Sequence, residues 1–449
     1  MQIKDLEQLV KEEIIQRKEE GCDATEIEKR FTKTERRTAS TLNGFLKALG
    51  TLSVKPDFPY EEPSELREIR AQRPMEPEKI RIELSDSELY EKIYGGWLGR
   101  CAGCLLGKPV EGLSKEQIEE WLKVADAYPL RHYFPPIEDL PEDAPDWLEN
   151  RLSRIAEMTK GMKRFGWFLG QINCMVRDDD IDYTVLGLHI LENHGQDFTT
   201  RNVAETWLYL LPYWQVYTAE RVAYKNLVNG IFPPESATYM NPYREWIGAQ
   251  IRADMWGYVT PGMPDLAAEL SYRDAIVSHV KNGIYGEMFA GAMISAAFAT
   301  DNIEKIIEAG LSVIPKKSRL AEAIKDVVLW SKKFSDWKDT WSRIFEKYGH
   351  YHFVHTINNA AIVVMGLLYG QGDYERSITI SVMGGFDTDC NGATTGSILG
   401  VMHGAGALPS KWIGPLNNVL ESFVIGYNNS QISDLAKRTA TMAEKILGK

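Results

Sequence analysis

"GGFDTDCNGATTGSILG" spans Gly384–Gly400. Its two aspartates, Asp387 and Asp389, stand one residue apart among glycines, small hydroxyl residues and a few apolar side chains. Gly384 and Gly385 allow a sharp turn or a close backbone approach. From Asn391 onward, Gly392, Ala393 and Gly396 predict a helix with almost no side-chain bulk, able to lie directly on another backbone. In an extended D-x-D both carboxylates point to one side. Charge is therefore paired at the mouth of a tightly packed element. There an uncompensated carboxylate pair is strongly disfavoured, and one member must take up a proton. A divalent cation resolves the conflict.

A second small-residue helix lies far upstream. "SDSELYEKIYGGWLG" (Ser85–Gly99) opens with Ser85 and Glu88 in capping-box spacing, and its continuation is rich in Gly and Ala, as close helix–helix approach requires. Helical periodicity recurs at 184–192, 202–211, 284–299, 320–332, 358–369 and 416–425, between loops marked by Pro or Gly. Neither period-2 hairpins nor a βαβ rhythm is evident. The fold class is all-α, one domain over residues 81–449. Residues 1–80 read as an accessory segment. Leu6, Val10, Ile14 and Ile15 share one helical face, and the prolines from Pro56 to Pro77 describe an arm wrapped over the surface.

Composition narrows the class further. With 449 residues, 44% hydrophobic and 25% charged, the chain can bury a large core. A net charge of −12 argues against nucleic acid or an anionic membrane surface as the main partner. Five cysteines, Cys22, Cys101, Cys104, Cys174 and Cys390, do not form a disulfide framework and point to a reducing cytoplasm. Cys101 and Cys104 form a CxxC without a second pair to complete a zinc site, so they read as buried thiols. The charged N-terminus is unlike a signal peptide, and no apolar run reaches membrane-spanning length.

The other acidic cluster is "VRDDDIDYTVLGLHILENHG" (Val176–Gly195), where Asp178, Asp179 and Asp180 precede a helix. A helix N-terminus favours one capping carboxylate, but three in a row plus Asp182 repel one another. An EF-hand starting at Asp178 fails, because position six is Tyr183 and position twelve is His189. A solvated acidic helix start is the bland reading. If the two clusters meet, their oxygens suit Mg²⁺ or Mn²⁺, with Ca²⁺ also open, and do not suit zinc. Five carboxylates suffice for two ions about 3.5–4 Å apart.

Three motifs resemble those of the ADP-ribosylglycohydrolase family. "GGWLGRCAGCLLGKPVEG" (Gly95–Gly112) is similar to its GxxxGDxxGxPxE element, "RDDDIDYT" (Arg177–Thr184) to its T/S-D-D-T-x-M-T element, and "GGFDTDCNGAT" (Gly384–Thr394) to its GGDTD-T/S-N element. Weaker likeness fills the intervening chain, so the resemblance covers roughly residues 88–449. It implies a compact orthogonal multi-helix bundle around a central cleft holding two Mg²⁺ (Mn²⁺ possible as the alternative ion). Carried over by position, the metal ligands are Asp178, Asp179, Asp180, Asp387 and Asp389. Glu111 falls on the family's loop glutamate, and Glu111, Asp179 and Asp389 become the catalytic candidates. Three residues depart from the pattern: Asp178 replaces Thr or Ser, Cys390 replaces Thr or Ser, and Cys104 replaces the Asp of the GD pair.

The implied reaction is hydrolysis at the anomeric carbon of an ADP-ribosyl group, carried by a protein or a small molecule, through an oxocarbenium-like transition state. Arg252 is the candidate phosphate contact, with a salt bridge to Asp254 as its plainer role, and Tyr285 and Gly286 are candidates to line the cleft. His279 and His355 read as core histidines, and Trp167 and Phe168 as base-stacking or core residues. Two alternatives stay open. The departures favour a glycosidase for another N- or O-riboside such as a nucleoside, and a catalytically inactive metal-bearing protein is also conceivable.

Overall fold

The computed structural model describes residues 3–160 and 166–448. Among these, 22 α-helices are joined by short 3₁₀ turns and loops, and the only sheet is a two-residue antiparallel ladder of Val419–Leu420 with Ser430–Gln431. The fold is all-α.

Its centre is the pair of small-residue helices, Asp86–Gly107 and Thr388–His403. They run antiparallel with glycines in register, Gly95 on Gly400, Gly99 on Gly396 and Gly103 on Gly392. A Cβ added at Gly99 would lie 2.1 Å from the Gly396 carbonyl oxygen, and one at Gly103 would lie 1.9 Å from that of Gly392. Only glycine allows backbones this close, and the four-residue spacing keeps every contact on one helix face. The register ends with Gly107 against Thr388, whose hydroxyl donates to the Gly107 carbonyl at 2.7 Å. The C-terminus of one helix and the N-terminus of the other are thereby fixed side by side.

Lys281–Ala297 and Thr356–Gly370, buried over nearly their whole lengths, pack around this pair. Helices apolar all round belong inside. Ser85 and Glu88 make both bonds of the capping box that starts the first glycine helix.

Three details differ from the sequence expectations. The expected helix over 416–425 is absent. Asn417 and Asn418 take left-handed φ of 48° and 57°, and the chain leaves in the short strand Val419–Leu420. The D-x-D is not extended: the helix begins at Thr388, ahead of Asp389. Ile15 is 50% exposed, whereas Leu6, Val10 and Ile14 are buried.

Helices Ile3–Glu19, Thr25–Lys33 and Ala39–Gly50 build a small apolar cluster of their own, including Leu6, Val10, Phe31 and Phe45, beside the main core. Residues 51–84 then cross the surface. Glu62 pairs with Arg319 at 2.7 Å, Arg73 with Asp265 at 2.6 Å, and the Ile80 amide donates to Gly262 at 2.8 Å.

Candidate active site

Three chain turns converge on a cavity of about 840 Å³. The first is Lys108–Glu111, directly after the first glycine helix, where a 3₁₀ turn (Lys108–Val110) swings Glu111 outward. The Gly112 amide donates to Phe386 at 2.9 Å, which fastens this turn to the start of the second glycine helix. The second turn is Gly385–Asp387. Gly385 and Phe386 have φ of 74° and 63°, and for phenylalanine that conformation is strained. The Asp387 amide donates to Asn359 Oδ1 at 3.0 Å, and the same oxygen accepts from Asn391 at 2.8 Å. The third is Asp178, N-cap of the Asp179–His194 helix, whose Oδ1 accepts from the Asp180 amide at 3.0 Å. Two helix N-termini thus present carboxylates to one space, where unpaired N–H groups favour negative charge.

Asp178, Asp179, Asp180, Asp387, Asp389 and Glu111 all line this cavity. The two acidic clusters touch, because the Cys390 thiol donates to Asp180 Oδ2 at 3.1 Å. Burial pushes Asp180, Asp387 and Asp389 well above the ordinary carboxylate range, and mutual repulsion adds to it. Asp179 is raised to about 6 by burial and by Asp178. Asp178 moves the other way: burial opposes its charge most strongly, but the charge and hydrogen bond of Lys108, the charge of Arg177 and the Asp180 amide together hold it low. Glu111, solvent-accessible inside the cavity, is raised chiefly by the charge of Asp389.

Around this centre stand residues that the sequence reading passed over. Lys108 pairs with Asp178 Oδ2 and lies 5.3 Å from the Trp167 ring centroid. Arg100 is fully buried, with Asp254 at 2.7 Å and Asp180 Oδ1 at 3.3 Å. Asp182 is held by Arg177 at 2.9 Å and by Ser422 at 2.6 Å, which explains the irregular chain near 417–423. Arg151 and Arg154, on the Asp146–Thr159 helix, reach the cavity wall. Among the several charges of that helix, only the spacing of three between the two arginines hinted at a shared face.

Arg252, Tyr285 and Gly286 do not line the cavity. The Arg252 guanidinium is buried and engaged by Asp274 at 2.6 Å and Glu220 at 2.8 Å, with no Asp254 pair. Tyr285 donates its hydroxyl to the Pro63 carbonyl, under the N-terminal arm. Gly286 packs against Thr356. His279 and His355 are buried in the core, bonded to Ser278 and to the Ile357 amide. Trp167 is on the cavity wall, and Phe168 packs 6.2 Å from Trp121. All five cysteines are buried, with no disulfide among them.

The donor set can be tested against a divalent cation. Among the described residues, Asp387–Asp389–Cys390 and Cys104–Asp178–Asp180 each bring their ligand atoms within 4.8 Å of one another. Asp389 Oδ1 is buried with no hydrogen-bond partner, as a carboxylate oxygen prepared for a cation would be. The carboxylates fit a hard ion. Cys104 and Cys390 do not, since burial keeps both thiols protonated and a neutral thiol is a poor ligand.

The profile of the ADP-ribosylglycohydrolase family matches residues 85–446. The chain belongs to the ADP-ribosylglycohydrolase family. Membership makes it a glycohydrolase of ADP-ribose-like substrates. A solved structure titled "ADP-ribosylglycohydrolase-related protein complex" is similar at 17% identity and a TM-score of 0.47, covering 80% of this chain and 99% of that one. No curated protein matches. The family match begins at the capping box of the first glycine helix, so the N-terminal segment lies outside it. No helix among the described residues is long and apolar enough to cross a membrane.

Proposed function

We propose that this ADP-ribosylglycohydrolase cleaves the glycosidic bond at the anomeric carbon of an ADP-ribosyl group on a protein or small molecule, with a divalent cation, Mg²⁺ or Mn²⁺, in its acidic centre. The observation that carries the reading is the convergence of five aspartates and Glu111 on one cavity whose wall also holds Arg151 and Arg154. Guanidinium groups suit a diphosphate, and the carboxylates suit a ribose whose ring becomes positive in the transition state.

Asp387 and Asp389 would hold the ion, and Asp179 lines the same cavity. When bound, it supplies Lewis-acid stabilisation and makes water more acidic. The chain's own groups do the remainder. Glu111 stands on a turn fixed against Phe386 and lines the cavity, where it would accept a proton from water once a bound cation offsets the Asp389 charge that raises it. Asp389, on the cavity wall, would also offset developing positive charge at the sugar. Five cysteines without a disulfide among them are in keeping with a reducing cytoplasm as the setting.

The second reading, a glycosidase for another riboside, is favoured by Cys104 and Cys390 in place of oxygen donors. Turnover on ADP-ribosyl-arginine, ADP-ribosyl-serine and a nucleoside panel, with Mg²⁺, Mn²⁺ or chelator, decides between them. Cation-dependent release of ADP-ribose, lost in Glu111→Gln, is the expected result. Release of free base alone transfers the assignment to the nucleoside reading. Tight ligand binding without any product would leave a binding protein.

A further inference from the structure

We propose that the Lys108 ammonium is a permanent cation of the acidic centre, standing where a second divalent ion would be held, so that the centre takes one divalent ion on its Asp387–Asp389 side. The inference rests on the metal-dependent reading above, and goes beyond it in assigning a residue to the work of an ion.

On the Cys104–Asp178–Asp180 side every carboxylate oxygen already has a protein partner. Asp178 Oδ2 is paired with Lys108 Nζ, and Asp178 Oδ1 accepts from the Asp180 amide at 3.0 Å. Asp180 Oδ1 faces Arg100 at 3.3 Å, and its Oδ2 accepts the Cys390 thiol at 3.1 Å. The third member, Cys104, offers only a buried sulfur, a poor match for a hard ion. Charge and donors are already matched there by the protein. On the other side Asp389 Oδ1 is buried and unpartnered.

Lys108 is also built in. Its amide closes the glycine helix by donating to the Cys104 carbonyl, and Pro109 follows it. Its side chain is 15% exposed and runs beside the Trp167 ring. A lysine that merely neutralised surface charge would extend into solvent. One ammonium carries half the charge of a divalent ion and has no open coordination position, but it keeps N–H donors for a sugar hydroxyl.

Calorimetric titration of the full chain with Mn²⁺, together with elemental analysis after gel filtration, counts the ions. The wild type is expected to hold one per chain and to give the six-line resonance of an isolated Mn²⁺. Lys108→Met is expected to hold two, and Lys108→Arg one. Two ions in the wild type, or an exchange-coupled Mn²⁺ signal, overturn the proposal while leaving the metal-dependent reading intact. A folded Lys108→Met that still holds one ion overturns it too. No bound ion in the wild type removes both. The wild-type count stands even if the methionine variant fails to fold.

Discussion

Asp389 carries two opposed demands. Its buried, unpartnered Oδ1 and the neighbouring Asp387 make its charge costly in the cation-free protein, and the same features make it a strong cation ligand. Asp389→Asn should therefore separate stability from activity. With chelator present, calorimetric melting should place the variant above the wild type, because a like-charge contact has gone. In the turnover assay, kcat/KM should fall by about 10²–10³ with cation present, the range for losing one preorganised charge-stabilising group. A variant that melts lower in chelator would show that the carboxylate serves the fold. The aspartates were legible in the sequence because charge crowding has few benign explanations. Lys108 was not, since a lysine at a helix end is ordinary and its meaning depends on Asp178, seventy residues away. Arg252 misled for the reverse reason: its sequence neighbour Asp254 pairs with Arg100, and its real partners, Glu220 and Asp274, come from two other helices.

Those side chains are aligned by elements, above all by the glycine-on-glycine helix pair. Gly103→Ala would drive a Cβ to 1.9 Å from the Gly392 carbonyl oxygen, backbone against backbone, with no flexible atom to move aside. Overpacking of this kind costs about 1–3 kcal/mol, occasionally more. Because the pair ends beside Lys108 and Asp387, activity should fall along with the melting temperature. Gly44→Ala supplies the contrast. It lies exposed within the Ala39–Gly50 helix with nothing within 4 Å of an added Cβ, and should stabilise by about 0.4–1 kcal/mol. Equal melting temperatures for the two variants would contradict the close-packed interface. Small residues after Asp389 and the Ser85–Glu88 spacing made both helices readable from sequence, and recurring helical periodicity made the all-α class readable. The chain over 416–425 was not readable, because its apolar residues mimic a helix while Asn417, Asn418 and the bonds to Asp182 impose another path. Local pattern is legible; a tertiary override is not.

At the scale of the molecule, the N-terminal segment is fastened by buried charge. Arg244 holds Glu13 at 2.7 Å and Glu20 at 2.9 Å, and Arg319 bridges Glu62 and Glu245 at 2.7 and 2.8 Å. Docking through pairs more than 200 residues apart leaves no periodic trace in a sequence. Removing one partner strands the other charges, so Arg319→Met should destabilise by about 3–5 kcal/mol in denaturant titration. The same interface encloses Glu19, whose carboxyl is raised from 4.5 to about 8 by burial and by the charge of Glu245, with Glu20 and Glu12 adding to the repulsion and Arg319 opposing it. His355 lies 3.8 Å away and is lowered to about 3 by burial, so it stays neutral above that. Folded Glu19 retains its proton where the unfolded chain has lost it. Its contribution to stability is therefore complete below pH 4.5 and is lost as pH rises through about 8. Glu19→Gln cannot ionise and escapes that loss. The difference in melting temperature, variant minus wild type, should grow steadily between pH 5 and 8.5 and then level off. Below about pH 8 folded Glu19 is as uncharged as the glutamine, so the neighbouring Glu12, Glu20 and Glu245 titrate alike in both proteins and drop out of the difference. A flat difference across that interval would mean that Glu19 is already ionised in the folded chain and that the segment docks with its charge compensated.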